Sequence, residues 1–128
     1  MTERAARRCE YCLVHEADRP EAHQMDHIFS RKHGGQTSKS NLTLACAICN
    51  NYKGTDFASI NPTTEVITRI FHPRRELWRA HFEFSGAEII GLTVTGQATV
   101  QMLQLNHPDR LAFRQSLIEA GLYPPPSP

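Results

Sequence analysis

Two Cys-x-x-Cys pairs, Cys9-Glu-Tyr-Cys12 and Cys46-Ala-Ile-Cys49, frame residues 13–45 and constrain this chain more than any other feature. Four thiolates delivered in pairs from two tight turns suit one tetrahedral zinc ion. Such a site is closed, with no open position for a substrate, so its role is structural. The competing reading is a Cys-x-x-Cys redox pair, and two matched pairs in one small chain favour zinc over it. With 128 residues the chain is one domain by length. No stretch approaches the roughly 20 apolar residues that span a bilayer. The basic opening Met1–Arg8 runs straight into Cys9 rather than into an apolar segment, which predicts no secretory leader and a cytoplasmic protein. A reducing compartment favours thiolate ligation of metal over disulfides.

The rest of the chain reads as short elements. A strand is expected over His23–Ile28, then an irregular loop over Ser30–Ser40, a return strand over Leu42–Ala45 and a short helix from Asn50 towards Phe57. Beyond a turn at Asn61–Glu65 follow a strand over Val66–Phe71, a helix over Arg74–His81 and a hairpin of Phe82–Phe84 with Glu88–Leu92. Thr95 is expected to cap a helix over Gly96–Leu105. Asn106-His107-Pro108 opens a clearer helix to Ala120, with Leu111, Leu117 and Ile118 on its buried side and Gly121 as its stop. Residues 1–57 thus form a knuckle-bounded unit, and residues 58–128 an extension of strands and helices ending in a proline-rich tail, 124–128. Trp78, Phe82 and Phe84 are expected to provide apolar cover for the first unit. Net charge is only +1, so attraction to nucleic acid rests on local clusters: Arg4, Arg7, Arg8; Arg31, Lys32, Lys39; and Arg69, Arg74, Arg75, Arg79.

Between the knuckles stands Asp26-His27. A carboxylate is a hard oxygen ligand for Mg²⁺ or Mn²⁺, and an imidazole accepts a proton from water near neutral pH. Neighbours on a regular strand face apart. Both groups reach one site only if the strand end twists or bulges.

The ordered set Cys9, Cys12, Asp26-His27-Ile28, Gly34-Gly35, Asn41-Leu42, Cys46, Cys49-Asn50 and Lys53 resembles the HNH endonucleases, over about residues 9 to 57. That resemblance implies an α+β fold built on a ββα-metal motif, stabilised by the four-cysteine zinc site, with the C-terminal extension packed on it. It implies a DNA-cleaving hydrolase in which His27 is the general base and Asp26 and Asn50 hold one catalytic Mg²⁺ or Mn²⁺. Asn41 would pin the loop and orient the His27 ring, making this a His-Asn-Asn variant. The products implied are a 5′-phosphate and a 3′-hydroxyl. Ser30 stands where the family often has proline.

DNA is the expected partner, held by its backbone with low sequence specificity, with Arg31, Lys32 and Lys53 as candidate phosphate contacts. His23 is expected to pack against the knuckle, and Gly34-Gly35 to supply a positive-φ turn. No residue marks a dimer face. The rival from another class is a non-catalytic zinc-knuckle module binding nucleic acid or protein, which has no need of His27.

Overall fold

Strand β1 (Gln24–His27) pairs antiparallel with β2 (Leu42–Ala45), in register from Gln24 opposite Ala45 to His27 opposite Leu42. The pairing is unbroken through His27, so no bulge turns Asp26 and His27 to one face. Three of the four β2 residues are buried, whereas β1 is half open to solvent. The computed structural model describes residues 5–126. Arg4 and the last two residues of the proline-rich tail lie outside them.

Helix α1 (Ala47–Lys53) starts three residues before the expected position, because Cys46 caps it: its Sγ accepts from the Cys49 amide at 3.4 Å. There follow β3 (Ala58–Ile60) and β4 (Ile67–Arg69), antiparallel, then α2 (Trp78–His81), the hairpin β5 (Phe82–Ser85) and β6 (Glu88–Gly91), α3 (Val94–Met102) and α4 (Pro108–Glu119). The architecture is mixed α and β, with three separate two-stranded sheets. β3 was not foreseen, and the helix expected over Arg74–His81 shrinks to a single turn. His72 competes for the backbone there: its carbonyl accepts from the Arg75 and Glu76 amides, and its own amide donates to the Glu76 carboxylate at 2.9 Å. Thr93, rather than Thr95, caps α3, with Oγ1 accepting from the Gly96 amide at 3.0 Å. α4 begins as expected on His107-Pro108. Among the described residues, no helix is long and apolar enough to cross a membrane.

One apolar core runs across residues 57 and 58. It joins Cys9, Tyr11, Cys12, Cys46 and Cys49 to Trp78, Phe82, Leu103, Leu105 and Tyr123. Trp78 stacks between Phe82 and Phe84 with ring centroids 5.0 and 4.9 Å away. Its indole Nε1 donates to the Tyr11 carbonyl at 2.8 Å, and the Tyr123 hydroxyl donates to the Cys12 carbonyl at 2.7 Å. The buried stripe of α4 is Arg110, Arg114 and Leu117, with Leu111 and Ile118 only half-buried. Arg114 is tolerated inside because its Nε donates to the Ala87 carbonyl at 2.8 Å and its Nη2 to Asn106 Oδ1 at 3.2 Å.

A second polar cluster ties β4 to α2. Arg69 grips Glu76 with two hydrogen bonds of 2.7 and 2.8 Å, and His81 Nε2 lies 2.9 Å from the same carboxylate. The Arg69 guanidinium is the main reason the Glu76 carboxyl falls from 4.5 to about 2. A group with a lowered folded pKa contributes stability above its unfolded pKa and loses it as pH falls towards the folded value. Melting temperatures of wild type and Glu76→Gln measured between pH 5 and 2 should therefore converge on acidification, the wild type losing its advantage below about pH 4.5.

Candidate metal centre and active site

The four cysteine Sγ atoms lie within 4.8 Å of one another, and all four residues are buried. Cys12 and Cys46 Sγ are 3.8 Å apart. Tetrahedral coordination with metal–sulfur bonds of about 2.3 Å has sulfur–sulfur edges of about 3.8 Å. Burial drives the Cys9 and Cys49 thiols well above their ordinary pKa. Four sulfurs packed this closely, two of them with thiols raised by burial, ionise together only when a cation takes their charge. The donor set is thus positioned for a metal ion and is consistent with structural zinc.

The extension reaches into this cluster. Arg110 Nη2 donates to Cys49 Sγ at 3.0 Å and its Nη1 to the Leu103 carbonyl at 2.7 Å. Burial opposes the charge on Arg110, but the Cys49 and Cys12 sulfurs outweigh it and push its pKa up. A cation held against a tetrathiolate metal site, which carries about two negative charges, offsets part of that charge. Charged residues on a helix ordinarily read as its wet face, so nothing in the local pattern signals this contact.

Between β1 and α1 lies a polar seam. Gln24 and Asp26 share one face of β1 and meet Asn50 and Lys53, one turn apart on α1. Asn50 Nδ2 donates to Gln24 Oε1, while the neighbouring Asn51 is exposed. Lys53 Nζ lies 3.0 Å from Asp26 Oδ2 and donates to the His27 carbonyl at 2.9 Å. Lys53 is only 1% exposed, which corrects its expected position on the surface. It faces inward because the seam holds a carboxylate and a strand-end carbonyl that need a cation. Asp26 Oδ2 is itself buried, and no hydrogen bond is aligned on it despite the nearby ammonium. An anionic oxygen with that incomplete shell fits a divalent cation, and the Asn50 Oδ1 is the amide atom left to join it. Lys53→Met should leave the Asp26 carboxylate without its partner, costing about 3 kcal/mol in denaturant unfolding. An unchanged midpoint would show the pair to be worth nothing.

His27 projects from the other side of β1, half-buried, and its Nε2 lies 2.8 Å from Thr37 Oγ1. Asn41 does not touch the ring. Its Oδ1 accepts from the Phe29 amide at 2.8 Å, and its Nδ2 donates to the carbonyls of Phe29 at 2.9 Å and Gln36 at 2.7 Å. The amide therefore staples the strand exit to the residue preceding Thr37. Thr37 went unread because a hydroxyl in an irregular loop carries no periodic signal.

Inside the loop, Ser30 Oγ caps a single 3₁₀ turn over Arg31–His33, accepting from the Lys32 amide at 3.1 Å, and Arg31 and Lys32 are exposed. Gly34 takes φ 93°, and a Cβ on Gly35 would lie 1.7 Å from the Phe29 carbonyl oxygen. One glycine supplies the turn and the other the close approach. His23 is buried, its Nε2 2.9 Å from the Val14 carbonyl beside the first knuckle.

Residues 9–56 match the family model for HNH endonucleases. No curated protein and no solved structure matches the chain. The matched span holds both knuckles, β1, the loop, β2 and α1, and indicates a nuclease-type or nucleic-acid-binding function.

Proposed function

Proceeding from the HNH match, we propose that this protein is a metal-dependent endonuclease that hydrolyses DNA phosphodiester bonds, with a ββα-metal motif spanning β1, β2 and α1. Asp26 and Asn50 hold one divalent cation on the α1 side of β1; the regular β1–β2 register leaves His27 on the other side, so its role as the base that activates the water requires the end of β1 to twist when metal and DNA bind. The observation that carries the reading is the buried Asp26 Oδ2, which has no aligned hydrogen bond and sits on the seam that also presents Asn50. One carboxylate and one amide oxygen form a hard donor set suited to Mg²⁺ or Mn²⁺. When bound, such an ion neutralises charge on the scissile phosphate.

The chain's own groups do the rest. In the tautomer where Nε2–H donates to Thr37 Oγ1, 2.8 Å away, Nδ1 of His27 is the free nitrogen that takes a proton as the water oxygen bonds to phosphorus. The P–O3′ bond breaks and the departing 3′-oxygen takes a proton from solvent water, leaving a 5′-phosphate and a 3′-hydroxyl. Asn41 holds the loop so that Thr37 stays on the ring. Lys53 Nζ stands 3.0 Å from Asp26 Oδ2 and holds the carboxylate on the seam, and the exposed Arg31 and Lys32 contact backbone phosphates without reading bases. Residues 58–126 supply the cover that buries the zinc knuckle.

Supercoiled plasmid incubated with Mg²⁺, Mn²⁺ or Ni²⁺ tests this directly. The wild type should nick it, and Asp26→Ala, His27→Ala and Asn50→Ala should each lose most of that activity. One observation favours a second reading, a non-catalytic zinc-knuckle module for nucleic acid or protein: Lys53 already neutralises Asp26. No nicking by the wild type with any of the three ions would select it.

A further inference from the structure

Phe29 of the loop after β1 and Phe57 of the segment after α1 bring apolar rings together where water would be expected. Phe29 is 38% exposed and Phe57 42%, and their centroids lie 4.9 Å apart, edge to face. His33, also exposed, completes the group at 6.2 and 5.9 Å from the two rings. An exposed phenylalanine is usually on a mobile segment, yet here both backbone polar groups of Phe29 are fixed by the Asn41 amide. The rings form a preorganised platform.

Beside the platform opens a cleft of about 530 Å³, bounded by Gly35, Asn41, Phe57, Arg69, His72 and Arg75. That volume falls within the roughly 300–1,000 Å³ of clefts that hold small organic groups. Its far wall carries Arg75, exposed, and Arg69, whose guanidinium is held flat by Glu76. Arg31 and Lys32, exposed, follow Phe29 closely in the chain, in the 3₁₀ turn that also holds His33 of the platform. Aromatic faces between cations match a strand of unpaired bases with phosphates on either side. In a closed duplex the base faces are stacked on one another, so neither ring would gain a partner.

We infer that the cleft between the Phe29–Phe57 platform and Arg75 binds single-stranded DNA, seating an unpaired base on the rings and its flanking phosphates on Arg75, Arg31 and Lys32. This deepens the endonuclease reading and rests on it for the role: strands with unpaired segments become the preferred substrate. Asn41 serves both ends, since the same side chain that fixes Phe29 also fixes the residue before Thr37 and hence His27.

The test is fluorescence anisotropy with the wild-type protein and no added divalent cation, on a labelled oligothymidine, the same length of blunt duplex, and a duplex with an unpaired flap. The expected order is single strand and flap at least ten-fold tighter than blunt duplex. Phe57→Leu and Phe29→Leu, which keep apolar bulk, should each weaken single-strand binding about ten-fold while leaving its salt slope unchanged. Arg75→Ala should lower that slope by about 0.7. Melting curves and zinc content establish that each variant is folded. Equal affinity for the three DNAs, or leucine variants that bind as well as wild type, would overturn the inference even if plasmid is nicked. Conversely, single-strand preference lost in the leucine variants would sustain the binding site even if no metal ion supports cleavage. RNA of the same sequence bound more tightly than the DNA would overturn the assignment to DNA.

Discussion

Removing the metal from the four cysteines is expected to unfold the described chain as a whole, not only its first half. A structural zinc site contributes on the order of 10–16 kcal/mol of apparent binding free energy, against a total stability of about 5–15 kcal/mol for an ordinary domain. Here the four sulfurs sit inside the same apolar core as Trp78, Phe82, Leu103 and Tyr123. Without the ion, Arg110 would be left buried against Cys49, whose thiol burial pushes towards its neutral form. The single tryptophan is a built-in reporter, because its indole nitrogen is bonded to the knuckle carbonyl of Tyr11. Titration with a strong chelator should shift Trp78 emission to the red in step with loss of far-ultraviolet dichroism, and Cys49→Ser should express as an unfolded or aggregated chain. Blue-shifted Trp78 emission persisting after zinc release would mean that the extension folds without the ion.

The second large effect is catalytic and depends on the endonuclease reading. His27→Ala should lower kcat for plasmid nicking by about 10²- to 10⁴-fold, the usual contribution of a positioned general base. Its side chain is half-buried and makes a single hydrogen bond, to Thr37, so the melting temperature should barely move. Thr37→Val removes only the hydroxyl that orients the ring. It should reduce kcat by about ten-fold with little change in KM, because ring orientation matters chiefly when the proton moves. A Thr37→Val protein as active as wild type would remove Thr37 from the mechanism, and an active His27→Ala protein would remove the general base.

What could be read from the sequence was mostly local. The cysteine spacings, the Asp26-His27 pair, the return strand and the His107-Pro108 helix start are all patterns within a few residues. The misses depend on what arrives from elsewhere. α1 began early because a metal-site cysteine doubled as its cap. Lys53 was expected at a DNA phosphate and Arg110 carried no reading at all, until a carboxylate and a sulfur from distant segments met them inside. The expected twist bringing Asp26 and His27 to one face is absent from the β1–β2 register; each is instead held on its own side, by α1 and by the loop. The helix expected from Arg74 was lost to the His72–Glu76 turn, whose strength comes from Arg69 on a neighbouring strand.

The hydrogen bond from Tyr123 to Cys12 joins positions 111 residues apart. A ribosome makes the cysteine-bearing half first, so during synthesis both knuckles leave the exit tunnel well before the segments that will cover them. The hydrogen bond that closes the knuckle from the C-terminal side therefore belongs only to chains translated past that tyrosine, and a product truncated before it leaves the Cys12 carbonyl without this partner.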